Sequence, residues 1–117
     1  MGAVAGEEKI PLREKQIQNQ IIEYLNLRGC YVWTQNAGQI PIQSGDKRRF
    51  INVGKKGISD IVGIRRRDGR FIALEVKTPK RRKRVTFHQR EFLDHILECG
   101  GIAGVVTSIE EAEELVK

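Results

Sequence analysis

The length, composition and charge of the chain exclude several classes of protein. Its 117 residues match one domain and are too few for a core plus an independent second domain. The 39% hydrophobic and 31% charged residues are a globular balance, too apolar for a disordered tail. No apolar run approaches the ~18 residues that cross a bilayer, and the first residues lack the pattern of a signal peptide. We expect a folded, soluble, cytoplasmic protein with no membrane partner.

The formal net charge of +6 favours a polyanionic partner, because lysine and arginine gain free energy by displacing counterions condensed on phosphates. This charge is clustered. The longest cluster is the unbroken run 80–84, and shorter ones occupy 47–49, 55–56 and 65–67. The clusters indicate a nucleic-acid partner, although the run 80–84 also fits a solvated loop or a localisation signal.

The cysteines and histidines do not form a recognisable metal site. Cys30 and Cys99 are the only cysteines and have no zinc-like spacing with histidine. We expect both to be buried or half-buried free thiols, since disulfides are rare in the cytosol. His88 and His95 lie two helical turns apart, too far to chelate together. We expect neither to be catalytic, with His88 available as a phosphate contact.

The first part of the chain predicts a leader and a helix. Residues 1–11 mix glycine, alanine and glutamate without a hydrophobic period, which indicates a flexible leader before a single domain over 12–117. Apolar residues then recur at helical spacing over 12–28, and Gly29 is placed to end this helix in a left-handed cap.

A strand and a hairpin are predicted next. The aromatic and β-branched residues 31–34 are typical of a strand. In this setting we expect Trp33 to lie in the core rather than to serve as a platform for stacking bases. The pattern over 39–53 predicts a hairpin that turns at 44–46.

The second half of the chain alternates strands and helices. Strands are predicted over 60–65 and 70–77, followed by a basic loop over 78–85. Thr86 and Gln89 fit a capping box, which predicts the start of a helix. The remaining elements are the end of that helix at Gly100-Gly101, a strand over 102–107 and a terminal helix opened by a second capping box at Ser108 and Glu111.

The turn between the two central strands allows a deduction of geometry. Asp68-Gly69 is the strongest short-range signal for a two-residue turn. Such a turn places Asp60 opposite Lys77, and Val62 opposite Glu75. Because side chains alternate between the faces of a strand, Asp60, Glu75 and Lys77 then project from one side of the sheet.

The patch of Asp60, Glu75 and Lys77 is suited to binding a divalent cation. Two carboxylates at the end of an apolar sheet repel each other and are poorly hydrated, a cost that Lys77 and a divalent cation offset. Few hard oxygen ligands with open positions suit Mg²⁺, which keeps water and takes phosphate oxygens of the substrate. The backbone carbonyl of Val76 is available as a further ligand. Lys77 would orient or deprotonate the attacking water and stabilise charge on the phosphate.

These residues resemble a known family. An acidic helix residue, an aspartate that opens a strand and Glu-x-Lys on the next strand resemble the PD-(D/E)XK nuclease superfamily. A narrower resemblance, to a stand-alone VRR-NUC domain, covers residues 13–107. It is carried by Glu14 with Gln18, Gln35-Asn36, Gly57-Ile58-Ser59-Asp60, Glu75-Val76-Lys77 and Gln89. The chain departs from the pattern at Ser59, where a proline often precedes the aspartate.

The resemblance implies an α/β fold of the mixed α+β type. Its restriction-endonuclease-like core is a central mixed sheet flanked by helices in the order αβββαβ, with an inserted hairpin. The resemblance also implies hydrolysis of DNA by a Mg²⁺-dependent endonuclease in which Mn²⁺ substitutes. Small members of the family act on branched DNA such as Holliday junctions, as homodimers that are often phage-encoded.

Residue roles follow from the same resemblance. Glu14 would complete the metal site formed by Asp60, Glu75 and the Val76 carbonyl, while Gln18 and Gln89 line it. DNA contacts are expected from the basic residues near the site and from one histidine. These are Lys55, Lys56, Lys80, Arg81, Arg82, Lys83, Arg84 and His88.

Plainer interpretations exist for each residue taken alone. Glu14 is a first-turn carboxylate of the kind a helix dipole favours, and Glu23, a rival acid, falls on another face. Asp60 fits a turn former at the start of a strand, and Lys77 fits an edge-strand residue that opposes aggregation. Two functional alternatives also stay open: a nucleic-acid-binding module without catalysis, and a nuclease of this fold specific for flaps, single strands or a sequence.

Overall fold

The computed structural model describes residues 13–35 and 38–117. Its helices and strands are, in chain order, α1 (Glu14–Leu27), β1 (Cys30–Thr34), β2 (Gly38–Ser44), β3 (Lys47–Val53), β4 (Ile61–Arg65), β5 (Phe71–Val76), α2 (Phe87–Glu98), β6 (Ile102–Val106) and α3 (Ile109–Val116). The basic loop predicted over 78–85 contains one short 3-10 turn, Pro79–Arg81. The leader predicted over 1–11 lies outside the described residues.

The strands form two sheets. The larger sheet has the order β1-β4-β5-β6, in which β1, β4 and β5 are antiparallel neighbours and β6 runs parallel to β5. The strands β2 and β3 pair only with each other in the described structure and turn at Gly45-Asp46. The predicted α/β fold, a mixed central sheet flanked by helices, is confirmed.

The helices cover the two faces of the central sheet. Helices α1 and α3 share one core cluster with the sheet, to which Ile21, Leu74 and Val116 belong. Helix α2 forms the other cluster, in which Leu93 packs with Ala73. Alternation along β5 produces both cores, because successive side chains point to opposite faces. In the described part of the chain, no helix combines the length and the apolar composition that a membrane span requires.

Predicted and observed element bounds differ by one or two residues. Helix α1 was expected over 12–28 and begins at Glu14. The strand predicted over 60–65 begins one residue later and ends as predicted, and the strand predicted over 70–77 begins and ends one residue further in. Helix and strand ends fray by about this much.

The predicted two-residue turn between β4 and β5 is wrong, because the observed loop is longer. Ile64 pairs with Phe71, and the amide of Arg65 donates to the carbonyl of Arg70 at 2.9 Å, so the loop has the four residues 66–69. The carboxylate of Asp68 accounts for the wider loop: it accepts from the guanidinium of Arg65 at 2.7 Å and from the amide of Arg70 at 3.3 Å.

The wider loop shifts the strand register by two residues. Ile61 pairs with Leu74, and extending that pairing by one position places Asp60 opposite Glu75 instead of Lys77. A shift of two preserves the face on which every side chain lies, whereas a shift of one would reverse it. The two carboxylates therefore share a face and face each other directly.

The two capping boxes have different outcomes. At α2, the hydroxyl of Thr86 accepts from the amide of Gln89 at 3.1 Å, while the Gln89 side chain accepts from the Thr86 amide at 2.9 Å. At α3, the hydroxyl of Ser108 accepts from the amide of Glu111 as expected, at 3.2 Å. The second bond of this capping box, from the amide of Ser108 to the Glu111 side chain, was predicted wrongly. The Glu111 carboxylate instead accepts from the amide of Thr107 at 2.7 Å.

Two burial predictions also need correction. Cys30 and Cys99 are free thiols as expected, but only Cys30 is buried, whereas Cys99 is exposed. Burial raises the pKa of the Cys30 thiol. Trp33 is 42% exposed rather than in the core, because it lies on the face of β1 opposite that of the buried Val32.

Gly57 offers a test of how the loop before β4 is held. Its φ is +79°, and a Cβ at this position would overlap the backbone carbonyl of His88 at the start of α2. We expect Gly57→Ala to lower the free energy of unfolding by ~1–3 kcal/mol more than Gly69→Ala, because only the first adds a steric overlap. Gly69 is the matched control, with φ +72° and open space around it. Urea unfolding measures both; equal losses would contradict this packing.

Candidate active site

The candidate site lies at the end of the central sheet where β4 begins and β5 ends. Asp60 directly precedes β4, and its Oδ2 accepts from the amide of Val76 at 2.8 Å. A side-chain hydrogen bond thus continues the β4–β5 ladder. Glu75 is 2% exposed and lies on the same face as Asp60, the face covered by α2. The fold therefore places the buried Glu75 carboxylate beside the half-buried Asp60 carboxylate.

Lys77 and Gln89 contact Glu75 directly. The Lys77 ammonium lies 3.7 Å from Oε2 of Glu75, and its side chain is 12% exposed. Nε2 of Gln89 donates to the same oxygen at 2.9 Å. Since the Gln89 carbonyl oxygen also accepts from the amide of Thr86, one side chain both caps α2 and orients the carboxylate.

Helix α1 brings two further predicted residues to this end of the sheet. Glu14, in its first turn, lies close enough for its charge to raise the pKa of Glu75. Gln18, one turn later, is buried and donates from Nε2 to Oγ1 of Thr34 at 3.2 Å. Gln18 thereby ties α1 to the end of β1.

The electrostatics of the cluster centre on Glu75. Burial is the main reason that its pKa rises to about 8, followed by the charge and hydrogen bonding of Asp60 and the charge of Glu14, while the charge of Lys77 acts in the opposite direction. One nearby ammonium is thus insufficient to balance the crowded carboxylates. A second positive charge would be stabilised here.

Two carboxylate oxygens without hydrogen-bond partners also indicate that a positive charge would be stabilised here. Oε2 of Glu14 and Oε1 of Glu75 are buried without a hydrogen-bond partner, a rare condition for polar atoms. Among residues 13–35 and 38–117, no three or more His, Cys, Asp or Glu side chains stand in an arrangement ready to hold a metal ion. The carboxylates of Glu14 and Asp60 repel that of Glu75, but the three are not arranged as a ready set of ligands. Carboxylate oxygens without partners nevertheless match the ligands that a hard cation such as Mg²⁺ prefers.

The predicted DNA-contacting residues separate into two groups. Most basic side chains of the loop after β5 are exposed, as are those before β4; these are Lys55, Lys56, Lys80, Arg81, Lys83 and Arg84. Arg82 differs, since its guanidinium forms an ion pair with Glu111 and donates to Oγ1 of Thr107 at 3.2 Å. Half-buried His88 has Nδ1 4.0 Å from the carboxylate of Glu91. Arg82 is thus an anchor for the basic loop.

The sequence reasoning missed two contacts at the site. The amide of Gln35 donates to the carbonyl of Asp60 at 2.8 Å, so β1 supports the strand that carries the aspartate. Gln35 is one of the residues on which the family resemblance is based, so the sequence did contain a signal for its importance. The ion pair between Arg82 and Glu111 joins residues 29 apart in the chain, and no local sequence pattern indicates it.

The raised pKa of Glu75 predicts a pH-dependent stability for the protein in chelator-containing buffer. Folded Glu75 holds its proton up to about pH 8, whereas the ordinary value is 4.5. The folded state therefore binds more protons in this window, and the free energy of unfolding falls as the pH rises, by at most ~1.4 kcal/mol per pH unit. We expect Glu75→Gln to remove this decline in chemical unfolding.

A matched control for this prediction is Glu23→Gln, since Glu23 is exposed on α1. It should retain the pH slope of the unmodified protein. Parallel curves for the unmodified protein and Glu75→Gln would show that Glu75 ionises normally in the folded state.

Comparison with known proteins agrees with the elements and their order. A family model described as the VRR-NUC domain matches residues 12–110 of the 117 in the chain. The comparison with curated proteins gives no significant match. The matched span runs from the start of α1 into α3 and includes the whole carboxylate cluster. The chain therefore belongs to the VRR-NUC family, and its domain is that of a nuclease, a hydrolase that acts on nucleic acid.

Proposed function

We propose that this protein is a metal-dependent endonuclease that hydrolyses DNA phosphodiester bonds at the cluster of Glu14, Asp60, Glu75 and Lys77. The observation that carries the proposal is the buried Glu75 carboxylate, which faces Asp60 and contacts both Lys77 and Gln89. A purely structural cluster would not require a half-buried carboxylate beside a fully buried one, whereas catalytic sites commonly contain such perturbed groups.

Asp60, Glu75 and Glu14 are the side chains proposed to hold the metal, with the backbone carbonyl of Val76 as a further ligand. The unpartnered oxygens of Glu14 and Glu75 support this assignment. Mg²⁺ is the proposed ion and Mn²⁺ its substitute, because the available donors are hard oxygens. When bound, the ion would acidify a water molecule and stabilise charge on the scissile phosphate.

The chain's own residues have distinct tasks in this proposal. Lys77 donates to the attacking water or to a phosphate oxygen, since its ammonium already lies at the carboxylate cluster. Gln89 holds one oxygen of Glu75, and the Val76 amide holds one oxygen of Asp60. Both carboxylates are therefore oriented before substrate binds, which limits reorganisation during the reaction.

Branched DNA, such as a Holliday junction, is the proposed substrate, and a homodimer the proposed assembly. Two copies would present two sites to a two-fold symmetric junction. The exposed basic loop directly after Lys77 supports contact with phosphates near the scissile bond. We propose a cytoplasmic location, since Cys30 and Cys99 are free thiols.

The central test is cleavage of a labelled four-way junction in the presence of Mg²⁺. We expect Asp60→Ala and Lys77→Ala each to reduce the rate at least ~100-fold, and a chelator to abolish cutting. Asp94→Ala is the control, because Asp94 is exposed on α2 and pairs only loosely with Arg90, at 3.9 Å. Equal cutting by all variants would eliminate this site. Binding without metal-stimulated cleavage of junctions, flaps or single strands would identify a non-catalytic module.

The basic loop makes a separate prediction about DNA affinity. Lys83 is exposed, so Lys83→Ala should weaken binding uniformly across sequences and reduce the slope of log K against log salt by about 0.9. Arg82→Ala should in addition lower the melting temperature, because Arg82 anchors the loop to α3. Fluorescence anisotropy at several salt concentrations measures the slope.

Lys117→Ala is the control for loss of one charge, since Lys117 is exposed and contacts Glu114 at the end of α3. An unchanged salt slope in Lys83→Ala would remove the loop from the proposed DNA interface.

A further inference from the structure

An apolar strip crosses the uncovered part of the central sheet. Tyr31 and Trp33 on β1 are 58% and 42% exposed, and their ring centroids lie 5.6 Å apart. Tyr31 pairs with Ile64, which pairs with Phe71, and each of these two is 37% exposed. We define the apolar strip as these four side chains, which lie on one face of three adjacent strands.

The strip is exposed because α2 covers only part of its face. The cluster under α2 includes Val62, Ala73 and Ala103 on β4, β5 and β6. In the described sheet β1 is an edge strand with β4 as its neighbour. Its aromatic side chains thus lie beside the helix instead of beneath it. Large aromatic groups so placed commonly mark a binding surface.

The strip is continuous with the candidate active site. Nε1 of Trp33 donates to the side chain of Gln35 at 3.2 Å, and the amide of Gln35 donates to the carbonyl of Asp60. Two strand residues span about 6.7 Å, which matches about two stacked nucleotide steps of 3.4 Å. Trp33 is therefore within the reach of nucleotides next to one held at Asp60.

Positive charge stands at both ends of the strip. Exposed Arg66 donates from Nε to the carbonyl of Cys30 at 3.1 Å, at the end of β1 away from the site. Lys77 lies at the carboxylate cluster. An apolar surface between cations suits a ligand that combines flat apolar rings with phosphates, as a nucleic-acid strand does. A second copy of this basic chain matches it less well, because cations would then face cations.

We propose that Trp33, assisted by Tyr31, is a stacking platform for an unpaired base of a DNA strand whose backbone crosses the site at Asp60. The proposal rests on the proposed function for the identity of the strand. Bases within a duplex have no free face for stacking, so the platform would favour substrates with unpaired nucleotides beside the scissile bond, and at a four-way junction it would require a base at the branch point to unpair. Every base has such a face, so this preference would be largely independent of sequence.

Trp33 is the only tryptophan in the chain, so its fluorescence reports on the platform directly. The experiment titrates the full chain, in chelator so that nothing is cut, with a 12-nucleotide oligothymidylate and with an abasic oligonucleotide of equal length and charge. We expect the thymidylate to quench the indole emission strongly and to bind more tightly than the abasic chain. Equal quenching and equal affinity for the two would overturn the proposal.

Variants test the same point by anisotropy. Trp33→Ala should weaken oligothymidylate binding by between about 5-fold and 100-fold, while Trp33→Phe should retain most of the affinity because it keeps an aromatic face. Leu97→Ala, which removes an exposed apolar side chain at the far end of α2, should bind as the unmodified chain does. Equal loss in Trp33→Ala and Trp33→Phe would overturn stacking as the cause.

Other outcomes separate this proposal from the proposed function. Base-dependent quenching without cleavage of any substrate would contradict the proposed endonuclease function and support the platform. Junction cleavage that is unaffected by Trp33→Ala, together with absent quenching, would sink the platform alone. A concentration-dependent shift of Trp33 emission without DNA would show that a second copy covers the strip, which also overturns the proposal.

Discussion

The burial of Glu75 against Asp60 is the constraint on which the rest of the site depends. A carboxylate that is removed from water and faces another carboxylate is destabilised unless charge and hydrogen bonds compensate. Lys77 and Gln89 compensate one oxygen of Glu75, while its other oxygen has no partner. The same imbalance that raises the pKa of Glu75 also provides a place where a cation would be bound strongly.

Helices α1 and α2, which cover opposite faces of the sheet, both begin at this end of it. Glu14 is the first residue of α1, and Gln89 lies in the first turn of α2. Helix N-termini carry partial positive charge and free amides, which favour negative groups. The architecture thus brings two positive helix ends from opposite faces towards one group of carboxylates. The exposed side chain of Trp33 lies on the α2 face, so the polar and aromatic surfaces are parts of one continuous region.

Errors in the local prediction had different consequences. The turn at 66–69 is wider than expected because Asp68 bonds to both Arg65 and Arg70. Since the register error is two residues, the predicted face of Asp60 and Glu75 survived it. The expected burial of Trp33 failed for another reason: a strand setting does not show which part of a sheet face a helix covers, and that depends on packing between distant elements.

The sequence by itself determined the elements, their order and the common face of the carboxylates, because hydrophobic period, capping residues and strand alternation act over a few neighbouring positions. Only the tertiary structure decided the contacts between distant segments. Glu14 reaches the surroundings of Glu75 across 61 chain positions, Arg82 is held by Glu111, and Trp33 stays uncovered. Such contacts depend on how helices sit on a sheet, which depends on the shape of the whole core and not on local pattern.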